Sequence, residues 1–180
     1  MKIYHLENEA EDYRWLEYQG NWFDFFWNLL DSKPIGEFHE KIKCKTIRDK
    51  KERVLGDFPC FVVPAISEKA KNVLADYFGN LVEIFPLETG KLGKYYFMNI
   101  INILDCLDEA NSDIIYFDNS DRIMKINSHS FKNFSDHNKL RIFKLKGGER
   151  GNIYVSEETK KLIDDANLEG FRFKEIGEIN

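Results

Sequence analysis

The sequence predicts an α+β fold, with mixed and largely antiparallel sheets of short strands and three or four helices. About eight to ten short segments have the alternating or continuous apolar pattern of strands. They do not alternate regularly with the helical segments, which argues against a doubly wound parallel sheet. Two similar strand–helix–strand units, 89 positions apart, are part of this predicted fold.

Length and composition indicate a folded globular chain. Its 180 residues are enough for one well-buried core, and 43% hydrophobic residues with a net charge of -5 are typical of folded proteins. We expect a core domain over residues 54–180. Residues 1–53 then form an N-terminal region with an aromatic helix and a basic strand, within the same domain or as a small lobe.

The N-terminal region begins with a predicted strand at residues 2–6 and an acidic helix at residues 9–18. The segment NWFDFFWNLL, residues 21–30, is apolar except at Asn21, Asp24 and Asn28, which predicts a mostly buried helix with a polar stripe. Core packing is the favoured role of its aromatic side chains; the alternative is a partner-binding patch made of Trp22, Phe25, Phe26 and Trp27.

A basic strand is predicted after the turn SKPIG, residues 32–36. Lysines alternate with Ile42, Cys44 and Thr46 over residues 41–46, which is the pattern of a half-buried strand with a solvated basic face. Residues 48–53, RDKKER, are predicted to be a charged loop, and an apolar run follows at residues 60–66.

The two similar units are AISEKAKNVLADYFGNLVEIF and IYVSEETKKLIDDANLEGFRF. In each, a serine precedes the helix, at positions 67 and 156, where its hydroxyl can cap the backbone N–H groups. A glutamate follows at the positive end of the helix dipole, a glycine is predicted to stop the helix, and an apolar strand returns. Capping is therefore favoured over a role for Ser67 and Ser156 as catalytic nucleophiles.

Five further strand segments complete the predicted elements. The run KYYFMNIINIL, residues 94–104, predicts a central strand buried on both faces. Residues 114–117 and 122–126 flank DNSD in a hairpin pattern. Strands are also predicted at residues 140–145 and 153–155, with the glycine-containing loop KGGERG between them.

Charge and cysteine content restrict the compartment in which the protein is expected and the partners that it is expected to bind. The N-terminal segment lacks the apolar core of a secretory signal, and no window approaches a membrane span. Three widely spaced cysteines suit neither a disulfide framework nor a zinc site, so the cytoplasm is expected. Residues 1–40 hold nine acids against three bases, which argues against bulk nucleic-acid binding and leaves open a basic protein partner.

Candidate chemistry is sparse in the sequence. His129 and His137 lie near Ser130 and Asp136, which could supply a base with an orienting acid, but surface histidines are the favoured interpretation. The acids in LDCLDEANSD (Asp105, Asp108, Asp113) lack the order of a calcium loop and predict a turn. The KGGERG glycines are not followed by a helix, as a phosphate loop would require. We expect no cofactor, no metal and no catalytic residue.

An ordered series of segments carries a resemblance to a known family. The series comprises GDFPCF (56–61), ISEKAKNVL (66–74), VEIFPLE (82–88), YYFMNIINILDCLD (95–108), Ile-Phe-Lys-Leu (142–145) and the strand–helix–strand unit at 153–176. Over residues 54–176 the chain resembles a bacterial family of polymorphic-toxin immunity proteins, the Imm-eleven type, formerly a domain of unknown function. One departure is Lys144, where the resemblance leads us to expect an arginine.

The resemblance implies a protein that binds and neutralises a cognate toxin, encoded by the adjacent gene, and performs no chemistry itself. An acidic surface would suit a basic toxin such as a nuclease. The predicted partner-binding residues are the acids of the second unit: Glu157, Glu158, Asp164, Asp165 and Glu169. The alternatives are an enzyme with a site near His129 and His137, and a scaffold module that docks through the aromatic helix. The sequence leaves the oligomeric state open.

Overall fold

A computed structural model describes residues 1–21, 23, 26, 31–47 and 54–180 of the chain. These residues contain twelve strands and two α-helices, in an α+β fold. In chain order the elements are β1 (Lys2–Asn8), β2 (Leu16–Tyr18), β3 (Ile42–Thr46), β4 (Ala65–Ser67), α1 (Glu68–Phe78), β5 (Val82–Glu88), β6 (Tyr95–Ile100), β7 (Ile103–Leu104), β8 (Asp113–Tyr116), β9 (Ile123–Ser128), β10 (Ile142–Leu145), β11 (Ile153–Ser156), α2 (Glu157–Asp165) and β12 (Phe171–Glu178).

The strands form two five-stranded sheets and a separate hairpin. The first sheet has the order β12-β1-β11-β10-β7, the second has the order β2-β3-β5-β6-β4, and β8 pairs only with β9. All strand pairs are antiparallel except β7 with β10 and β3 with β5. The prediction of mixed, largely antiparallel sheets of short strands is therefore confirmed.

The two similar units have the same topology. In the first, β4 and β5 both pair antiparallel with β6, so the two strands that flank α1 are parallel to each other with one strand between them. In the second, β11 and β12 flank β1 in the same way. The repeated string in the sequence thus corresponds to a repeated strand–helix–strand arrangement around an inserted antiparallel strand.

Serine caps begin both helices, as predicted. The Ser67 hydroxyl accepts a hydrogen bond from the Ala70 N–H at 3.1 Å, and the Ser156 hydroxyl accepts one from the Thr159 N–H at 3.4 Å. Gly79, at φ +53°, ends α1. The predicted glycine stop of the second helix is wrong, because α2 ends at Asp165 with Ala166 as its C-cap, and the left-handed residue that follows is Asn167.

Both helices pack into one apolar cluster that joins the two sheets. It contains buried side chains from α1, α2 and strands of either sheet, among them Leu74, Phe78, Met98, Ile142 and Ile163. β1, from the N-terminal region, is an inner strand of the first sheet, while β2 and β3 belong to the second. The division of the chain at residues 53 and 54 stays a prediction.

The helix predicted at residues 9–18 is wrong. Its second half contains β2, which pairs with β3, and the Leu16 N–H donates to the Cys60 carbonyl at 2.9 Å. The indole N–H of Trp15 donates to the Ala10 carbonyl at 2.8 Å, which holds the preceding turn closed. Pairing with distant strands outweighs the weak helical preference of an acidic segment that also holds β-favouring aromatic residues.

The helix count differs from the prediction for two reasons. In the described parts of the chain, four short segments are 3-10 turns and are too short to be α-helices: 79–81, 90–92, 109–111 and 137–140. Most of the predicted aromatic helix, including Trp22, Phe25 and Trp27, lies outside the described residues, as does the predicted loop 48–53. Phe26 is fully buried against the rings of Tyr18, Phe61 and Phe97, in agreement with core packing.

The long apolar run at residues 94–104 divides between the two sheets. β6 is an inner strand of the second sheet and is mostly buried, as predicted, but it ends at Ile100. After Asn102 the chain enters the first sheet as β7. The Asn102 side-chain amide donates to the carbonyls of Lys139 and Ile142, at 2.6 and 2.7 Å, and so fixes the crossing between the sheets.

Candidate functional site

The surface predicted to bind a partner is exposed on α2 and the turn after it. All five of its acids are exposed, and we call them the acidic face of α2: Glu157, Glu158, Asp164, Asp165 and Glu169. The opposite side of the helix buries Thr159 and Ile163. Because the helical repeat places these two sets on different sides, α2 can anchor in the core and still present its carboxylates to solvent.

Three of these five carboxylates have neither a hydrogen-bond nor an ion-pair partner in the described parts of the chain. Lys160 lies 2.5 Å from the Asp164 carboxylate, and the Lys2 backbone N–H donates to Glu157 at 3.1 Å. Glu158, Asp165 and Glu169 therefore carry the unpaired negative charge. An exposed pair such as Lys160–Asp164 contributes only about 0.5 kcal/mol, so it shields the charge more than it stabilises the fold.

Asp57 holds the turn that carries Glu169. Its carboxylate accepts hydrogen bonds from the Ser67 hydroxyl at 2.5 Å and from the Glu169 N–H at 2.9 Å, and its own N–H donates to the Glu169 carbonyl at 2.8 Å. Lys69 lies 3.6 Å away. Asp57 thus connects the first turn of α1 with the end of the second unit, and this arrangement is called the Asp57 clamp below.

A second set of contacts fixes α2 relative to α1. The Thr159 hydroxyl donates to the Arg141 carbonyl at 2.6 Å, and the Arg141 guanidinium donates to the Tyr77 carbonyl at 2.9 Å. The guanidinium also lies over the Tyr77 ring, 4.6 Å from its centre. These contacts, with the Asp57 clamp, make the acidic face of α2 a rigid surface.

The two histidines of the alternative enzymatic site do not form a base with an orienting acid. His129 Nε2 lies 3.2 Å from the Tyr154 hydroxyl, and its ring stacks on Phe131. Burial, with His5 and Lys174 nearby, lowers the pKa of His129 to about 4. Within the described residues neither His129 nor His137 hydrogen-bonds to Asp136, which instead pairs with Lys139 at 3.8 Å. An imidazole with so low a pKa is a weak base at neutral pH.

The acidic stretch LDCLDEANSD is a turn, as predicted, and contains the 3-10 turn Glu109–Asn111. Asp105 lies 2.7 Å from Lys132 and 3.0 Å from Lys146, and these lysines hold its pKa below the usual value. No group of three or more acidic, histidine or cysteine side chains that could hold a metal occurs in the described ranges. Nor is a helix of the described part long and apolar enough to cross a membrane.

Lys144 occupies a buried position on β10. Its ammonium group donates to the Glu149 carbonyl at 2.6 Å, within the loop KGGERG, and burial lowers its pKa to about 8. The Gly147 N–H in turn donates to the Glu149 carboxylate at 2.9 Å. The glycine loop therefore surrounds a lysine of this chain and leads into β11.

Sequence reasoning missed two features that the structure brings together. Glu83 accepts hydrogen bonds from the N–H groups of Ile35 and Gly36, at 2.7 and 2.9 Å, and from the Asn99 amide. Burial would raise the pKa of Glu83, but these three donors outweigh it and the pKa is lowered. The second feature is a cavity of about 750 Å³ beside the β8–β9 hairpin. The sequence feature that could have indicated this cavity is the segment 105–121, which contains six acids and no base.

Together, the fold and the site define an α+β protein whose candidate site is a charged, exposed surface held by the hydrogen bonds of Asp57, Thr159 and Arg141. The chain belongs to the immunity protein family (Imm11), whose model matches residues 26–178. A comparison with curated proteins found none that matches. The predicted resemblance is thereby confirmed, and the match begins at residue 26, earlier than the predicted residue 54, so that it includes β3.

Proposed function

We propose that this chain is an immunity protein that binds a cognate bacterial toxin and neutralises it by direct protein–protein inhibition. The family match over residues 26–178 is the observation that carries the proposal. The toxin belongs to a polymorphic or contact-delivered system and is encoded by the adjacent gene. In this proposal the protein itself performs no chemistry and uses no cofactor.

Electrostatic attraction is the proposed reason for rapid binding. The acidic face of α2 leaves three carboxylates without a hydrogen-bond or ion-pair partner in the described residues, and the whole chain carries a net charge of -5. Such a surface accelerates encounter with a basic protein, for example a nuclease whose site is built to bind phosphate. We propose that Glu157, Glu158, Asp164, Asp165 and Glu169 act in this way.

The cytoplasm of the producing cell is the proposed compartment. Cys44 and Cys106 are buried, no disulfide joins the three cysteines, and burial raises the pKa of both these thiols to about 12. Such thiols persist where the redox conditions are reducing. They support a protein that meets its toxin inside the cell.

Co-expression tests the proposal directly. The toxin domain encoded by the adjacent gene is produced from an inducible promoter, with or without this chain, and growth is followed. We expect growth to be rescued by the wild-type chain and equally by the double variant His129→Asn/His137→Ala, because binding needs neither imidazole. Failure of the wild-type chain to rescue would refute the immunity function, while loss of rescue in the soluble, folded double variant would favour the enzymatic alternative.

A further inference from the structure

Exposed apolar side chains of the described residues are concentrated on the β8–β9 hairpin and on β7. Seven large apolar residues of the described chain are exposed, and five of them lie on the β8–β9 hairpin or on the edge strand β7. We call these five the hairpin surface: Ile103, Ile115, Tyr116, Phe117 and Met124. Clustered exposed apolar side chains are uncommon on a protein that has no partner, whereas isolated ones are ordinary.

One face of the hairpin packs against the first sheet, and the other face is uncovered. Ile114, Ile123 and Ile126 pack against the buried cluster of the first sheet, and the Ile123 N–H donates to the Gly147 carbonyl at 2.7 Å. Ile115 pairs with Lys125 on the opposite face of the strands. Phe117 and Met124 are 46% and 52% exposed. The uncovered face is therefore held in place by a packed one and is available for contact.

Acids outnumber bases around this apolar face, although Lys125 pairs with Ile115 and the Arg122 guanidinium lies 5.6 Å from the centre of the Phe117 ring. Residues 105–121 contain six acids and no base. Asp105 is neutralised by two lysines, but Asp118 and Asp121 are exposed and have no side-chain partner in the described part of the chain. The cavity of about 750 Å³ beside the hairpin is lined by Tyr116, by four acids and by two bases: Asp105, Glu109, Asp121, Glu149, Arg122 and Lys146.

We propose that the hairpin surface is where the toxin docks, through a patch of the toxin that has an apolar centre and basic side chains around it. This inference rests on the proposed function and adds the location of the contact. An apolar centre that is desolvated on binding, with charged groups at the rim, is the usual arrangement of a protein–protein interface. The acidic face of α2 then attracts the toxin at longer range.

Apolar substitutions test the docking surface. The full-length chain is titrated calorimetrically with the adjacent gene's toxin domain, carrying a substitution that abolishes its toxicity. We expect Phe117→Ser/Met124→Ser to weaken binding at least about 30-fold, as loss of central anchors does. Val54→Ser is the matched control, because Val54 is apolar, is 64% exposed and lies outside the hairpin. The affinity of this variant for the toxin domain should stay within about twofold of the wild-type value.

Charge substitutions test the chemistry of the partner. Asp118→Asn/Asp121→Asn preserves side-chain shape, and we expect it to weaken binding about tenfold at low salt and to reduce the dependence of affinity on salt. Asp76→Asn removes an exposed carboxylate on α1 that has no side-chain partner in the described residues, and it is the matched control; its affinity for the toxin domain should stay within about twofold of the wild-type value. Equal losses of affinity in Asp76→Asn and in the hairpin double variant would contradict a docking site at the hairpin.

The outcomes separate this inference from the proposed function. If the wild-type chain does not bind the toxin domain, both fail. Should it bind while the hairpin variants bind equally well, only the hairpin proposal is overturned. Light scattering tests the alternative that a second copy of this chain occupies the hairpin surface. If the wild-type chain is a dimer, and Phe117→Ser/Met124→Ser converts it to a monomer without changing its affinity for the toxin, the surface serves self-association.

Hydrogen exchange on the wild-type complex gives a readout that needs no variant. We expect residues 113–128 to gain protection when the toxin domain binds, because the uncovered face and strand edges become buried. Protection at residues 157–169 with none at residues 113–128 would place the contact on α2 instead and overturn the inference.

Discussion

Asp57 connects groups from three different parts of the chain. Its carboxylate accepts from Ser67 and Glu169 and lies near Lys69, and it is mostly buried. In Asp57→Asn, one acceptor oxygen becomes an N–H₂ donor that faces another donor. We expect this variant to lose about 2 kcal/mol of unfolding free energy, measured by urea denaturation, because a partly buried donor is left without an acceptor.

The matched control for the Asp57 clamp is Asp76→Asn. Asp76 is exposed on α1 and has no side-chain partner in the described residues. Its substitution should change the unfolding free energy by less than about 0.5 kcal/mol. If Asp57→Asn behaves like this control, the clamp does not contribute to stability.

Lys144 is expected to make stability depend on alkaline pH. Burial lowers its pKa from 10.5 to about 8, so between these values the unfolded chain binds this proton more tightly than the folded chain does. The penalty for burying the charge is present below about pH 8 and is relieved as the pH rises toward 10.5. The stability of the wild-type chain relative to Lys144→Met should therefore rise by about 3 kcal/mol over this range.

Urea denaturation of both proteins at pH 7, 9 and 10.5 measures this difference. Methionine keeps most of the length of the side chain and removes the charge, so other titrating groups cancel in the comparison. A difference that stays constant with pH would show that the ammonium group is hydrated in the folded state.

At the scale of elements, the two helix caps are alike in sequence but differ in their surroundings. Ser67 accepts from the Ala70 N–H and also donates to Asp57, whereas the Ser156 cap hydrogen bond is longer, at 3.4 Å. Removing a cap costs about 1 kcal/mol. We expect Ser156→Ala to lose about that much. Ser67→Ala should lose about 2 kcal/mol, because it also removes the hydrogen-bond donor of one oxygen, Oδ1, of the Asp57 carboxylate.

Thermal or urea unfolding of the two cap variants measures how much stability each one loses. Ser135→Ala, in an exposed loop, is the control and should unfold as the wild-type chain does. Equal losses in the two cap variants would show that the Ser67–Asp57 hydrogen bond adds nothing to the cap.

Elements were predictable where local chemistry decides them. Alternation over residues 41–46 correctly placed Ile42 and Cys44 inside and the lysines outside, and both serine caps were found from their spacing. The helix predicted at residues 9–18 was wrong because β2 is stabilised by β3, which lies more than twenty residues away. The hairpin was predicted, but not its exposure, although four consecutive apolar residues at 114–117 cannot all face one core.

At the scale of the whole molecule, charge should govern the rate of toxin binding more than its strength. We expect the triple variant Glu158→Gln/Asp165→Asn/Glu169→Gln to associate about five- to tenfold more slowly with the toxin domain at low ionic strength, with a nearly unchanged dissociation rate. Stopped-flow measurements at two salt concentrations test this. An association rate that does not depend on salt in the wild-type chain would contradict electrostatic attraction.

The amino-acid sequence by itself determined the fold class, the starts of α1 and α2, the two repeated units and the family, because these depend on local patterns and on their order. Only the tertiary structure decided which distant groups meet. Asp57 reaches Ser67 and Glu169, and Lys144 becomes buried beneath the Glu149 loop. The hairpin exposes one apolar face beside a cavity in which acids outnumber bases. Each depends on the way in which the strands are ordered in the sheets, and that order is set by long-range packing, which no local pattern encodes.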